Sequence, residues 1–492
     1  MPRFAAFLRR AGSALGLAAL PLAAQTVVLD TFNQTGASGT ITDVFSWPGQ
    51  VQRNATSITV GGSALDLNGW GASGLAIDAS ALGYLRLTAR RDAGNAAAAL
   101  VVQLEDATLN TTVVSAPASA FSSTDFTRVQ ITLGAWPAGF APATVAGWNI
   151  GGGTVGVAPF RFTLEHLELA ATLLPLAGGT IVTVGHQPYG TAQTLTGSTV
   201  LRSASATERD VAFAAALDGG HGLTVETAGV LTFAGAVGAS VPLAALETDA
   251  GGKTVVAGGL VRTTGAQIYR DPVELGAATA FRSLVDGGLH FFETLFGEGN
   301  AVEFDTTAAG SLRRVENVAS FTKSGVGTLT VDAAGAYTGP TRVLAGTLAL
   351  GTAQALPSGS ALTLGGGTLA LRGLSQTLAS LSVSAVSAID FGRGTATLVF
   401  GDSAGLPWSS PVTVANYNSS LNLLQFGSTA AALTTQQLGL LRFADYGGAP
   451  GQIDGLGRVT PDLAAIPEPS AWAAFAGLAA LLAAGRRAAR RR

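Results

Sequence analysis

Short runs in which apolar and polar residues alternate fill most of this chain. Tyr84-Leu85-Arg86-Leu87-Thr88-Ala89-Arg90 alternates at period two. Ala99-Leu100-Val101-Val102-Gln103-Leu104-Glu105-Asp106, Phe126-Thr127-Arg128-Val129-Gln130-Ile131-Thr132-Leu133 and Phe160-Arg161-Phe162-Thr163-Leu164-Glu165-His166-Leu167-Glu168-Leu169 follow, with Gly, Asp and Asn between them. A period of two sends successive side chains to opposite faces of a strand, and the intervening residues are turn formers. Residues 25–172 are therefore expected to form a β-sandwich.

From about residue 196 the pattern becomes a repeat. Gly327-Thr328-Leu329-Thr330-Val331 is followed by Gly346-Thr347-Leu348-Ala349-Leu350, Gly367-Thr368-Leu369-Ala370-Leu371 and Gly394-Thr395-Ala396-Thr397-Leu398, at spacings of 19, 21 and 27 residues. Upstream, Gly229-Val230-Leu231-Thr232-Phe233 and Gly252-Lys253-Thr254-Val255-Val256 lie 23 apart. One strong strand per twenty or so residues is the signature of a solenoid, in which no coil buries its own inward side chains and each stacks on its neighbours. The expected organisation is a linker at 173–195, a parallel β-helix at 196–410, and a cap at 411–463 that blunts the open end, with Gln436-Gln437-Leu438-Gly439-Leu440-Leu441-Arg442-Phe443 as a short helix-to-strand stretch.

Composition agrees with many short strands. Of 492 residues, 47% are hydrophobic and only 12% charged, with 65 glycines; the only lysines are Lys253 and Lys323. There is no Cys, which excludes disulfides, Cys-based metal sites and thiol catalysis. The formal charge of −3 conceals a division. Eight arginines and only Glu468 sit in the two end segments, so the body holds 20 basic and 30 acidic residues, a net charge near −10. Such a body lacks the basic face that nucleic acid requires, and membrane contact is expected through the C-terminal tail alone.

Both ends read as targeting segments. Arg3, Arg9 and Arg10 precede the apolar run Ala11 to Leu22, and Leu22-Ala23-Ala24 offers a small-residue cleavage site before Gln25, the form of a signal peptide over residues 1–24; an ordinary N-terminal helix is the alternative. At the other end, Ile466-Pro467-Glu468-Pro469-Ser470 leads into an apolar run at 471–485 and an arginine cluster at 486–492. Two prolines hold the motif extended, the apolar run is shorter than the roughly 20 residues that span a bilayer untilted, and the arginines favour the cytoplasmic side. Residues 464–492 closely resemble the PEP-CTERM sorting signal. That resemblance implies a Gram-negative host, removal of the tail near Pro467, Glu468 and Pro469 by an exosortase after signal peptidase has acted, and delivery from the inner membrane to the envelope or extracellular matrix. A plain membrane anchor is the alternative.

A second resemblance lies inside the repeat. Phe321-Thr322-Lys323-Ser324-Gly325-Val326-Gly327-Thr328-Leu329, then Ala336-Tyr337-Thr338-Gly339-Pro340-Thr341, then Val343-Leu344-Ala345-Gly346-Thr347-Leu348 is similar to the autotransporter-associated β-strand repeat, which implies a right-handed parallel β-helix over 321–351. Residues 205–300 more loosely resemble the repeats of filamentous adhesins. No segment resembling a membrane barrel follows, so self-secretion is not expected. The first unit resembles jelly-roll carbohydrate-binding domains in pattern only. It holds Trp47, Trp70, Trp136 and Trp148, which would serve as glycan contacts if exposed in a row and as core and rim residues otherwise.

Chemistry is sparse. His166, His186, His221 and His290 lack metal-helix spacing. Gly151-Gly152-Gly153-Thr154-Val155-Gly156 matches the letters of a dinucleotide fingerprint but sits between strands with no helix after it. Glu293, Glu298, Glu303 and Asp305, mixed with Phe291, Phe292 and Phe296, form the one acidic cluster; paired carboxylates would cleave glycosides or hold Ca²⁺, whereas a polar loop breaking the array is the plainer reading. The expectation is an exported, non-enzymatic surface or matrix protein with no cofactor and a structural or adhesive role. Its rivals are a carbohydrate-binding surface protein, for which extracellular polysaccharide is the partner, and a β-helical polysaccharide-degrading enzyme.

Overall fold

The computed structural model describes residues 26–30, 43–46, 51–53, 58–62, 69–151, 160–285 and 287–465. The signal segment with Ala24 and Gln25, Trp47, and the tail with Pro467, Glu468 and Pro469 lie outside them. The described chain is almost entirely β, with one α-helix, Thr435–Leu440, and about eleven solenoid turns within residues 177–415. Two compact units partition it: residues 1–258 with 269–271, and residues 259–268 with 272–492.

The first unit opens with two antiparallel sheets. One runs Asp43–Ser46, Gly69–Ile77, Val145–Gly151, Ala99–Asp106, Thr111–Pro117. The other centres on Phe160–Ala170, paired on one side with Ile58–Gly62 and Thr26–Asp30 and on the other with Tyr84–Arg91, which in turn pairs with Thr127–Thr132. Leu85, Leu87, Leu100, Val102, Leu104, Val129, Trp148, Ile150, Phe162, Leu164 and Leu167 fill the space between them. Each such side chain contributes about 1.5–3 kcal/mol on burial.

Residues 173–195 are not a linker. Ala177–Val184 pairs in parallel with Thr127–Thr132 of the sandwich and with Gly197–Ser203 beyond it, so one sheet runs out of the sandwich into the solenoid. Buried polar groups fix the exit. Gln130 accepts from the Leu174 amide at 2.9 Å and donates to Thr183 at 2.8 Å; Arg86, paired with Glu168 at 2.8 Å, donates to the carbonyls of Leu173 (2.9 Å) and Thr172. A segment whose backbone is bonded in this way has no freedom to act as a hinge. The solenoid accordingly begins near 177 rather than 196.

In-register parallel pairing then stacks like on like. Ile181, Leu201 and Val225 form one inward column of the first unit, and Tyr189, Phe213 and Phe233 another, with ring centroids 4.9 and 5.5 Å apart. The Gly229 and Gly252 starts precede paired strands, Val230 opposite Lys253.

Among its described residues the second unit has three sheets. In one, Val261, Phe281, Phe304, Lys323, Val343, Leu364 and Val383 form a continuous column. In another, Leu329, Leu348, Leu369, Ile389, Val414 and Phe443 do so. The rung after Thr368–Ala370 is Ser387–Asp390, not the Gly394 start; Thr397–Phe400 belongs to a third sheet and stacks on Gln376–Leu378 and Leu423–Phe426. The spacing of 27 betrays this, because it steps to another face. The far edge is closed by the helix Thr435–Leu440, begun by a capping box between Thr434 and Gln437, and by the antiparallel pair Gly451–Ile453 and Arg458–Pro461 laid on Leu423–Phe426.

The repeat glycines sit where coils touch. A Cβ on Gly346 would lie 2.3 Å from the Gly327 carbonyl oxygen, and its φ of +60° is strained for any other residue. Nothing lies within 4 Å of a Cβ added to Gly359. Gly346→Ala is therefore expected to lower unfolding free energy by about 1–3 kcal/mol and Gly359→Ala to change it by less than about 0.5, read by denaturant titration; equal effects would contradict the stacking geometry.

Candidate functional site

The stretch Ser320–Ser324 explains why its motif carries a lysine. Alternation aims Phe321 and Lys323 inward, in register with Val302 and Phe304 on one side and Thr341 and Val343 on the other. Lys323 is wholly buried in a column of apolar side chains. Its stem passes along the column and its Nζ emerges at the corner, donating to the carbonyls of Ser324 (2.5 Å), Gly325 (2.7 Å) and Ala345 (3.3 Å). Corner carbonyls cannot enter the sheet ladder, and one ammonium with three donors satisfies them across two successive coils. Beside it, Tyr337 bonds Thr341 at 2.8 Å, and Thr341 bonds Ser360 at 2.8 Å. These contacts are structural chemistry.

The acidic cluster does not converge. Glu293 lies on Leu289–Phe296, which pairs with Gly310–Glu316, and faces Arg313 at 3.5 Å. Glu303 and Asp305 lie on Ala301–Thr306 in a different sheet; Glu303 accepts from Ser324 at 2.6 Å and faces Arg282 at 3.7 Å. Glu298 occupies an exposed turn at φ 49°. Glu293 therefore lies on a different face of the solenoid from Glu303 and Asp305, which share the outward side of one strand.

The histidines are dispersed. His166 bonds Glu168 at 2.9 Å, His186 accepts from the Asp210 amide at 3.3 Å, and His290 bonds Ser311 at 3.0 Å, with burial lowering its pKa. His221 is half-buried in the strand-rich first unit. Among the described residues no group of three or more His, Asp or Glu is placed to hold a metal. Of the Gly151–Gly156 run only Gly151 is described, at the end of a strand.

Of the four candidate tryptophans, Trp136 and Trp148 have described side chains. Trp148 is 2% exposed in the sandwich core, opposite Leu104 and Ala72. Trp136 is half-buried and stacks on Phe140 at 5.3 Å. Trp70 lies on Gly69–Ile77, opposite Ile150. Among the described residues no helix is long and apolar enough to cross a membrane, which leaves strand-built barrels unaddressed.

Comparisons with known proteins follow the repeat. The family model of the passenger-associated-transport-repeat matches residues 321–350, the stretch built around Lys323, Gly327, Tyr337 and Gly346. No curated protein matches the chain. Among solved structures it is similar to two variants of a family 29 carbohydrate-binding module, at 9% and 10% identity over 30% of this chain and 92% of each module, with TM-scores of 0.23 and 0.22. It is also similar to an agarase, at 9% identity over 31% of this chain and 26% of the agarase, with a TM-score of 0.23. Likenesses this weak carry no functional argument. The repeat and the solenoid together fit an autotransporter-like passenger, a secreted or surface protein of a type that is structural or adhesive.

Replacing Lys323 by Met keeps the stem and removes the three donors. Lys323→Met should cost on the order of 3 kcal/mol of unfolding free energy at pH 7. Burial also lowers the Lys323 pKa to about 8 from its ordinary 10.5. Between those values the unfolded chain holds more protons, so this residue makes stability rise with pH. The wild-type advantage over Lys323→Met should therefore grow from pH 8 to pH 10 in paired denaturant titrations. A shrinking gap would mean that the amine is not buried as described.

Proposed function

We propose that this chain is an exported surface or extracellular-matrix protein, sorted by an exosortase through its C-terminal tail, whose work is structural or adhesive. The observation that carries the reading is the passenger-type repeat at 321–350 placed within a stacked parallel solenoid. Such a scaffold keeps its interior columns while its exterior varies, which suits an extended surface and demands no active site. The succession of the Pro467-Glu468-Pro469 motif, an apolar run and an arginine cluster supports sorting, and the form of residues 1–24 supports cleavage between Ala24 and Gln25. On this reading the processing partners are signal peptidase and exosortase, and the inner membrane is a transient station.

Fractionation of the native host with mass spectrometry of the mature termini tests it. The expected product lies in the envelope or medium, begins near Gln25 and ends near Pro467. A full-length product kept in the inner membrane would make the tail an anchor and remove the matrix reading.

A further inference from the structure

The outer face of the five-stranded sheet in the first unit carries a side chain that the fold does not use. Ala99–Asp106 sends Leu100, Val102 and Leu104 into the core, so alternation puts Val101, Gln103 and Glu105 on the opposite face. On one side of that strand, Asn149 lies opposite Gln103, Gly147 opposite Glu105 and Gly151 opposite Val101; the next strand places Gly71, Ser73 and Gly69 against these three. On the other side, Thr111, Val113 and Ser115 lie opposite Glu105, Gln103 and Val101. The centre of the face is thus floored by bare glycine backbone and bordered by amides, hydroxyls and the aliphatic Val113.

Glu105 is 4% exposed and makes no hydrogen bond or ion pair among the described residues. Its neighbour Asp106 is the opposite case. Both Asp106 carboxylate oxygens are occupied, by the amides of Thr108 (2.9 Å), Asn110 (3.0 Å) and Ala141 (2.8 Å) and by the side chains of Thr108 (2.8 Å) and Asn110 (3.3 Å). Burial opposes ionisation of Asp106, but these bonds outweigh it and hold the pKa at about 2. Burial, with Asp106 beside it, pushes the Glu105 carboxyl up to about 7. Ionisable groups with shifted titration and no partner concentrate at binding sites.

We propose that this face binds a neutral polysaccharide, whose hydroxyls pair with Gln103, Glu105 and Asn149 while a sugar ring lies over the glycine floor. The two amides supply donors and acceptors together, as vicinal hydroxyls require, and the carboxyl adds two oxygens beside them. Glycine lets a ring approach the backbone, and Val101 and Val113 offer apolar contact to its C–H face. A calcium site fits less well, because that ion takes six to eight oxygens and Asp106 has none to give. The proposal uses the surface reading above only to bring such a chain within reach.

The test is affinity electrophoresis of the whole exported protein in gels cast with β-1,4-glucan, β-1,3-glucan, glucomannan or neutral galactan, with alginate as the anionic control. At least one neutral polymer should retard the protein. Gln103→Ala combined with Asn149→Ala should weaken that retardation by about tenfold or more, and Glu105→Ala, which removes the carboxyl from the face, should weaken it by about threefold or more. Near-ultraviolet circular dichroism from the buried Trp148 confirms that each variant folds. No retardation by any neutral polymer, equal retardation by alginate, or an unaffected double variant would overturn the proposal. So would calcium alone raising the melting temperature of the wild type but not of Glu105→Gln. Each of these outcomes leaves the fractionation result standing, so the two readings fail separately.

Discussion

Every coil of this protein must present its backbone edge to the coil above and the coil below. Parallel pairing in register makes that possible, and nearly every other feature follows from it. Strands lie about 4.8 Å apart in such a stack, so a residue finds its own counterpart directly over it. Apolar side chains then form columns such as Phe281, Phe304, Lys323 and Val343, or Leu329, Leu348, Leu369 and Ile389. Corners tolerate variable length, because inserted residues leave at the surface and the rungs stay matched. The same closeness removes side chains where backbones touch: a Cβ on Gly327 would lie 2.2 Å from the Ala308 carbonyl oxygen.

Corners also strand backbone groups, and the interior answers with buried polar side chains. Lys323 serves three carbonyls. Gln376 accepts from the Leu356 amide at 3.0 Å and donates to the Leu356 carbonyl at 2.8 Å, and Gln437 donates to the carbonyls of Ser403 and Leu406 at 2.9 and 3.0 Å. Lys323 and Gln376 each keep an apolar stem in the stack and a polar tip at the bend, whereas Gln437 reaches its carbonyls from the cap helix. Burying such a tip without partners would cost a few kcal/mol, so its value lies in the corner geometry it completes.

Much of this architecture was legible in the sequence, and the remainder was hidden for identifiable reasons. The Gly-Thr-Leu starts at 327, 346 and 367 gave three true rungs because the inward Leu must recur at each coil. The fourth start misled because a three-faced coil offers the same local pattern on another face. The sandwich strands were visible from alternation, yet the parallel bond between Thr127–Thr132 and Ala177–Val184 was not, since pairing partners leave no mark on local periodicity. Lys323 stands out in the sequence for its rarity and as part of the repeat motif, and its place two residues after Phe321 already puts it on the inward face. Trp148 attracted attention as an aromatic platform, whereas the core takes it and Glu105, one residue from Leu104, carries the unused chemistry.

Stacked coils leave two raw edges, and exposed edges invite further strands to add. At one edge the chain converts an antiparallel sandwich sheet into a parallel solenoid sheet, so Thr127–Thr132 covers the first coil strand, Ala177–Val184, while belonging to a separate hydrophobic core. At the other edge the direction reverses again: Arg458–Pro461 runs antiparallel on Leu423–Phe426, and the Phe443 amide bonds Ala449 in an antiparallel bridge. Both closures work by changing strand direction, after which a further parallel coil finds no matching ladder. Exterior positions between those ends remain free to change, since no column depends on them, and that freedom is what a surface protein built on this scaffold has to offer.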